Sequence, residues 1–229
     1  MKKFWWLGLF LGGLSLTACA QEKTRASRMA EATDMQAYFD AVKRDDVAMV
    51  EAGLATPGLL TATNERGETL LMAAVYAQRP RLIRRLIEAG ADVNAQDERL
   101  NSPFLYAGAE GDLETVRLAL AHGADFTRTN RYGGTALIPA AEKGHLAVVT
   151  LLANTPNYPI DHVNQLGWTA LLEAVILGDG GPAQQAIVAT LLAAGADAGI
   201  PDHTGVTALI HARQKGLTEI VALLEAARG

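Results

Sequence analysis

The sequence has few of the residues on which several protein classes depend. Cys19 is the single cysteine, so no disulfide can form within the chain. Aromatic residues make up only 6% of the chain, which argues against a sandwich of strands rich in Tyr, Val and Thr. Lys and Arg number 20 against 25 Asp and Glu, and no basic stripe of the kind that binds nucleic acid is present. We therefore expect an all-α protein that does not bind nucleic acid.

The short motifs of common enzyme classes are also missing. We find no Walker loop, no HExxH or GxSxG motif and no paired cysteines that would bind a metal. The 5 histidines are dispersed, without a pair spaced three or four residues apart, whereas a metal site needs ligands that converge. We therefore predict no catalytic residue, no metal site and no cofactor.

The first residues are typical of an export signal. Two lysines precede an apolar run from Phe4 to Leu16, which is too short to span a membrane. The run leads through small residues to Leu16-Thr17-Ala18-Cys19, which resembles the lipobox of bacterial lipoproteins. An ordinary secretory peptide or a short uncleaved anchor are the alternatives.

The lipobox resemblance implies a membrane anchor. Residues 1–18 would be the signal peptide, and Cys19 would become the lipidated N-terminus. Ala20, rather than Asp, after the cysteine resembles the outer-membrane class, so we expect a lipid-anchored protein of the bacterial envelope that faces the periplasm. Residues 19–33 carry mixed charges with almost no apolar pattern, and we expect a tether there.

A six-residue phrase recurs through the rest of the chain. Its copies begin 33, 33, 34 and 38 residues apart, a period typical of solenoids. They are Thr69-Leu70-Leu71-Met72-Ala73-Ala74, Ser102-Pro103-Phe104-Leu105-Tyr106-Ala107, Thr135-Ala136-Leu137-Ile138-Pro139-Ala140, Thr169-Ala170-Leu171-Leu172-Glu173-Ala174 and Thr207-Ala208-Leu209-Ile210-His211-Ala212. A second phrase keeps step with the first: Gly90-Ala91-Asp92-Val93-Asn94, Gly123-Ala124-Asp125-Phe126-Thr127 and Gly195-Ala196-Asp197-Ala198-Gly199.

These phrases resemble the ankyrin repeat, over roughly Met35 to the C-terminus. The resemblance implies one all-α solenoid at residues 34–229, with about six helix-turn-helix units joined by short finger turns. We place the units near 35–64, 65–97, 98–130, 131–164, 165–202 and 203–229. A Thr or Ser hydroxyl should cap each first helix. Gly90, Gly123 and Gly195 should end second helices where φ is positive.

Three departures from the repeat stand out. Leu100 occupies the place of the finger glycine, which puts the geometry of that finger in doubt. Residues 154–164 replace the usual Gly-Ala-Asp phrase and contain two prolines that should end the helix early. Residues 178–182 (Gly-Asp-Gly-Gly-Pro) lengthen the fifth unit.

Ankyrin proteins bind partners on their concave side, which consists of the finger tips and the exposed face of the first helices. The resemblance therefore implies a partner-binding surface of matched finger and helix positions. Exposed aromatics and Arg are enriched at interface hot spots, whereas Trp168 has the alternative of packing against the neighbouring finger. The candidates are Arg66, Arg99, Tyr106, Arg131, Tyr132, Trp168, Glu173, His203 and His211.

The sequence thus favours a monomeric, membrane-tethered adaptor, inhibitor or immunity-type binder of a protein in the periplasm or at the cell surface. An accessory protein for envelope stress protection is an alternative. A second is a small-ligand or metal receptor that uses the fifth-unit loop and His162. A third is an envelope scaffold without a stoichiometric partner.

Overall fold

The computed structural model describes residues 35–227. Cys19, the signal segment 1–18 and the tether 19–33 lie outside the described residues. Within residues 35–227 the structure contains helices and two isolated β-bridges, one joining Thr63 to Thr69 and one joining Pro201 to Thr207. The all-α prediction is confirmed. No helix in this range has the length and apolar character needed to cross a bilayer.

The described helices pair into six units, each with a first and a second helix. Unit 1 contains α1 (35–44) and α2 (Val47–Gly53), and unit 2 contains α3 (Leu70–Tyr76) and α4 (Pro80–Glu88). The others are α5 (Pro103–Glu110) with α6 (Leu113–Ala121), α7 (Leu137–Glu142) with α8 (Leu146–Ala153), α9 (Ala170–Ile176) with α10 (Pro182–Ala193), and α11 (Ala208–Lys215) with α12 (Thr218–Ala226).

The helices form two layers. From α3 onwards each first helix packs on the next first helix, and from α2 onwards each second helix packs on the next second helix. The core lies between the layers, where Leu86, Leu137, Leu152 and Leu171 are almost fully buried. Burial of one such side chain stabilises the fold by about 2 kcal/mol. Because each unit covers the next, the core is continuous along the array.

Side-chain caps begin three of the first helices. The hydroxyls of Thr69, Ser102 and Thr169 each accept a hydrogen bond from the backbone N–H of the residue three positions later, at 3.2 Å. Thr135 and Thr207 differ from the prediction, because neither makes a side-chain cap. The buried hydroxyls of both lack a hydrogen-bond partner within the described part of the chain.

Tyr158 anchors the irregular segment that follows α8. Its side chain is buried, and its hydroxyl accepts the backbone N–H of Leu137 at 3.2 Å, at the start of α7. Burial raises the pKa of Tyr158 to about 12. The ring of Phe126 lies 4.9 Å away, centroid to centroid. The segment that lost the repeat phrase is therefore held in the core by an aromatic side chain.

The fifth-unit insertion is tied to the sixth unit. The ammonium group of Lys215, at the end of α11, donates to three carbonyls at the end of α9, those of Val175, Ile176 and Gly178, at 2.7–3.0 Å. A cation at a helix C-terminus is favourable because the last carbonyls carry partial negative charge. The extra residues enter the connecting loop and α10, which has 12 residues.

Candidate functional site

One Asn or Asp side chain organises each finger turn. Its Oδ1 accepts the backbone N–H groups two and four residues later, at 2.8–3.1 Å. This bonding fixes the turn and leaves the residue two positions later exposed at the tip. The five organising residues are Asn64, Asp97, Asn130, Asn164 and Asp202, and the tip residues are Arg66, Arg99, Tyr132, Leu166 and Thr204.

The finger that contains Leu100 keeps this geometry. Leu100 has φ +59°, in the left-handed region occupied by glycine at the same place in the other fingers, and Asp97 still accepts from Arg99 and Asn101. The doubt raised by the sequence is thereby resolved. A leucine in this conformation costs about 1 kcal/mol, and its side chain is 47% exposed.

Three consecutive fingers display apolar side chains. Leu100, Tyr132 and Leu166 are 47%, 52% and 51% exposed. The guanidinium of Arg131 lies 4.8 Å from the centroid of the Tyr132 ring and donates to its hydroxyl at 2.8 Å. We call these four residues the fingertip strip. Exposed apolar and aromatic groups of this kind are typical of protein-binding surfaces.

Below the fingers, units 2 and 3 meet through a closed aromatic contact, which we call the 2/3 junction (Tyr76, Asp97, Asn101 and Tyr106). The hydroxyl of Tyr76 donates to Asp97 Oδ2 at 2.5 Å and accepts from Asn101 Nδ2 at 2.9 Å. Its ring packs edge-on against Tyr106, with centroids 4.6 Å apart. Burial and the bond to Asp97 raise the pKa of Tyr76 well above its usual value.

Units 4 and 5 meet at the same repeat positions through different residues, Glu142, Asn164, Trp168 and Glu173, which form the 4/5 junction. Glu173 is only 5% exposed, and Asn164 Nδ2 donates to its Oε1 at 2.8 Å. Burial, followed by the negative charge of Glu142, raises the pKa of Glu173 to about 7, although the bond from Asn164 opposes this. The structure thus corrects the expectation that Glu173 is an exposed groove residue.

The two lysines of the adjacent units, Lys143 and Lys215, are bound elsewhere. Lys143 pairs with Glu110 at 2.7 Å, and Lys215 caps α9. Within residues 35–227 no salt bridge includes Glu142 or Glu173. When both carboxylates are ionised, the 4/5 junction therefore carries negative charge that no salt bridge of the described chain compensates.

His211 and Asp202 form the corresponding contact in unit 6. Their Nε2 and Oδ2 atoms are 2.8 Å apart. Hydrogen bonds from the Thr204 side chain, the Val206 N–H and His211 hold the pKa of Asp202 below its usual range. His211 was predicted from sequence to bind a partner, and the structure places it in this internal pair.

The other residues predicted to bind a partner differ in exposure and in the contacts they make. Arg99, Arg131 and Tyr132 are exposed, whereas Tyr106 and Trp168 are half-buried, Trp168 against the core. Arg66 is exposed but pairs with Glu68 at 2.8 Å. The ring of His203 lies against Gly167, where an added Cβ would come within 2.5 Å of it. Only Arg131 and Tyr132, of all the candidates, belong to the fingertip strip.

His162, proposed in the alternative hypothesis as a metal ligand, lies 2.6 Å from the carbonyl oxygen of Gly133 through its Nε2. In the described part of the chain no three metal-ligating side chains come together. The fifth-unit loop lies between α9 and α10, while His162 lies in the segment leading to a finger. The structure gives this alternative no assembled site.

Sequence reasoning missed Tyr76, Glu142 and Asn164. A signal was present, because Tyr76 and Glu142 both stand seven residues after the Thr that opens the repeat phrase. Each stands three residues, or about one helical turn, after the residue that lies four positions after that Thr. The two positions therefore lie on the same face of the helix. Aligning those positions between neighbouring units identifies the pairs that face each other.

Comparison with known proteins agrees with this architecture. The family model described as ankyrin repeats in three copies matches residues 38–130 and 104–199. YahD of Escherichia coli strain K12, which is named as an ankyrin repeat protein, is 39% identical over 190 residues, covering 83% of this chain and 94% of YahD.

Solved structures agree as well. An ankyrin repeat domain from Acinetobacter baumannii superposes with a TM-score of 0.80 at 50% identity, covering 83% of this chain and 97% of that domain. The ankyrin repeat domain of Bcl-3, described as a member of the IkappaB family, superposes with a TM-score of 0.74 at 26% identity and covers 83% and 85%. The chain therefore belongs to the ankyrin repeat family, whose repeats form protein-interaction modules.

Proposed function

We propose that the chain is a lipid-anchored binding module of the bacterial envelope that captures another protein through its fingertip strip. The observation that carries this proposal is the exposed row of Leu100, Tyr132 and Leu166, with Arg131 over the tyrosine ring. Apolar tips on rigid turns bind with little loss of conformational entropy, because the turns are already ordered by their Asx bonds.

Strain at Leu100 supports this choice of surface. A glycine would satisfy the backbone at lower cost, yet the chain has a large apolar side chain at φ +59°. Backbone strain that exposes a side chain to solvent is typical of functional sites.

The anchor is supported by sequence alone. Lipidation at Cys19, an outer-membrane location facing the periplasm and the absence of catalysis follow from the lipobox resemblance and the lack of catalytic motifs. Lipidation is tested by mass analysis of the N-terminal peptide and by release of a Cys19→Ser variant from the membrane fraction. A wild-type N-terminal peptide without added lipid mass, or a Cys19→Ser variant that stays in the membrane fraction, would contradict the anchor.

The binding surface is tested by crosslinking in living cells with the full-length chain. Tyr132→Ala combined with Leu166→Ala should weaken partner capture by about 1–2 kcal/mol for each residue. The matched control is Leu177→Ala, because Leu177 is 49% exposed but lies at the end of α9, away from the fingers. Equal capture by the double variant and the control would reject the fingertip strip.

A further inference from the structure

We propose that the 4/5 junction receives a Lys or Arg side chain of the bound protein, held between the carboxylates of Glu142 and Glu173. This inference rests on the proposed binding function, and it specifies the chemistry of the partner. The partner segment would combine apolar side chains, which contact the fingertip strip, with one basic residue directed into this junction.

The Glu173 carboxylate is buried with few hydrogen-bond donors. The residue is 95% buried, being only 5% exposed. Its Oε1 accepts from Asn164, whereas Oε2 has no hydrogen-bond partner among the described residues and yet is not enclosed by protein atoms. Burial of a carboxylate is costly unless a cation or several donors compensate it. Here one neutral amide is present, and the second oxygen has no hydrogen-bond donor among the described residues.

Glu142 and Glu173 occupy repeat positions whose counterparts touch at the 2/3 junction. Tyr76 and Tyr106 touch at the 2/3 junction, and Glu142 and Glu173 occupy the same positions in units 4 and 5. α7 and α9 pack directly on each other, as α3 and α5 do. Two carboxylates therefore occupy the positions where the other junction has two rings in contact, and the charge of Glu142 acts on Glu173. Like charges at this range repel, and a cation between them removes the repulsion.

Two carboxylates suit a basic side chain better than a metal ion. Metal ions with oxygen ligands need several donors, about six to eight for Ca²⁺, and the described residues contain no group of three metal-ligating side chains. Two carboxylates suit an ammonium or guanidinium group, which donates two or more charge-assisted hydrogen bonds. In the described parts of units 4 and 6, Lys143 pairs with Glu110, Lys215 binds the end of α9, Arg131 lies over the Tyr132 ring and Arg213 pairs with Glu225. A basic side chain must therefore come from outside the described chain.

The 4/5 junction lies beside the fingertip strip. Asn164 organises the finger whose tip is Leu166, and the same asparagine holds Glu173. Trp168, at the base of that finger, is half-buried against the core. One short partner segment can therefore contact the tip through an apolar residue and reach Glu173 with a neighbouring basic residue.

The test uses a displayed library of random short peptides selected on the full-length chain, purified in detergent. On the wild type we expect selected peptides to share apolar residues and one fixed Lys or Arg. On the Glu142→Gln, Glu173→Gln double variant we expect the apolar preference to persist and the basic preference to disappear. A selected wild-type peptide should bind the double variant at least about tenfold more weakly.

The substitutions suit the test because glutamine keeps the shape of the side chain and can still accept the hydrogen bond from Asn164. The control is Glu88→Gln with Glu219→Gln, on the outer helices α4 and α12, which changes the net charge by the same amount. The control should bind the selected peptides as the wild type does. Equal weakening by the control would identify a long-range charge effect and overturn the proposed site.

The outcomes separate the two proposals. The proposed site at the junction would be overturned if a basic residue were selected equally on the wild type and the double variant. It would also be overturned if the selected peptides were apolar without any basic preference. Either result would leave the fingertip strip as the proposed binding surface. Two results together would support both the fingertip strip and the junction. The Tyr132→Ala, Leu166→Ala double variant should select no peptides, and the basic preference should depend on Glu142 and Glu173. No peptide selected on any form would count against both.

Discussion

The 2/3 junction and the 4/5 junction use the same backbone positions for opposite purposes. At the first, Tyr76 and Tyr106 fill the space between units, and the Tyr76 hydroxyl satisfies Asp97. At the second, Glu142 and Glu173 face each other with only Asn164 as a donor. One junction is complete within the chain, and the other leaves charge uncompensated.

The difference indicates which positions serve stability and which serve binding. A repeat array gains stability from every interface between neighbours, so an aromatic pair at all junctions would be the more stable choice. Residues that break a local rule without a compensating gain are expected at functional sites. The 4/5 junction meets that description, and the comparison can be tested at each junction separately.

The largest effect is expected at the aromatic junction. Tyr76→Ala should lower the free energy of unfolding by about 3 kcal/mol, because it removes an aromatic contact and the hydrogen bond to Oδ2 of buried Asp97. Urea denaturation of the full chain measures this. Tyr76→Phe, which removes only the hydroxyl, should cost about 1 kcal/mol. Equal losses in the two variants would mean that ring packing contributes nothing.

A pH-dependent effect is expected at the carboxylate junction. The pKa of Glu173 is raised from 4.5 to about 7, so the folded state binds its proton more tightly than the unfolded state does. This contribution to stability is present below about pH 4.5 and is lost as pH rises towards 7. Its size is on the order of 2 kcal/mol after solvent screening at the open oxygen.

The measurement compares wild type with Glu173→Gln at about pH 5 and about pH 8. The stability of the variant should not fall between these pH values through this group. The variant should therefore be more stable than the wild type at the higher pH. Carboxylates with a lowered pKa, such as Asp202, lose their contribution only as pH falls, and they do so in both proteins. Parallel stability curves for the two proteins would show that Glu173 is not the group responsible.

The repeat phrases predicted most of the fold, because a period near 33 residues and the capping residues act locally. The fingertip residues Arg131 and Tyr132 followed from the same alignment, since tip positions are set by the turn. Burial of Glu173 did not follow, because it depends on the neighbouring units rather than on the unit that contains it. Tyr158 escaped notice for the same reason, since nothing in its own segment places it against α7.

A smaller effect on stability should distinguish Asn164 from Asp97, the residues that organise the fingers at the two junctions. Asn164→Asp adds a carboxylate against Glu173 beside that of Glu142 and should destabilise the fold by about 1.5 kcal/mol near pH 8. The cost should be smaller near pH 5, where Glu173 is protonated and can donate. Asp97→Asn should cost about 0.5 kcal/mol, because its amide can donate to the Tyr76 hydroxyl. Thermal unfolding at both pH values gives the comparison, and equal costs would contradict the roles assigned to Asp97 and Asn164.

The smallest effect concerns the finger residues above the two junctions, Leu100 and Gly167. Leu100→Gly should stabilise the fold by about 0.5 kcal/mol, because relief of the left-handed strain exceeds the entropy that glycine gains in the unfolded chain. Gly167→Ala should destabilise it, since its Cβ would lie within 2.5 Å of the His203 ring. If the Leu100→Gly variant is more stable than the wild type but binds the selected peptides more weakly, the strained leucine serves binding rather than stability. A destabilised Leu100→Gly would instead assign Leu100 to the packing of its own finger.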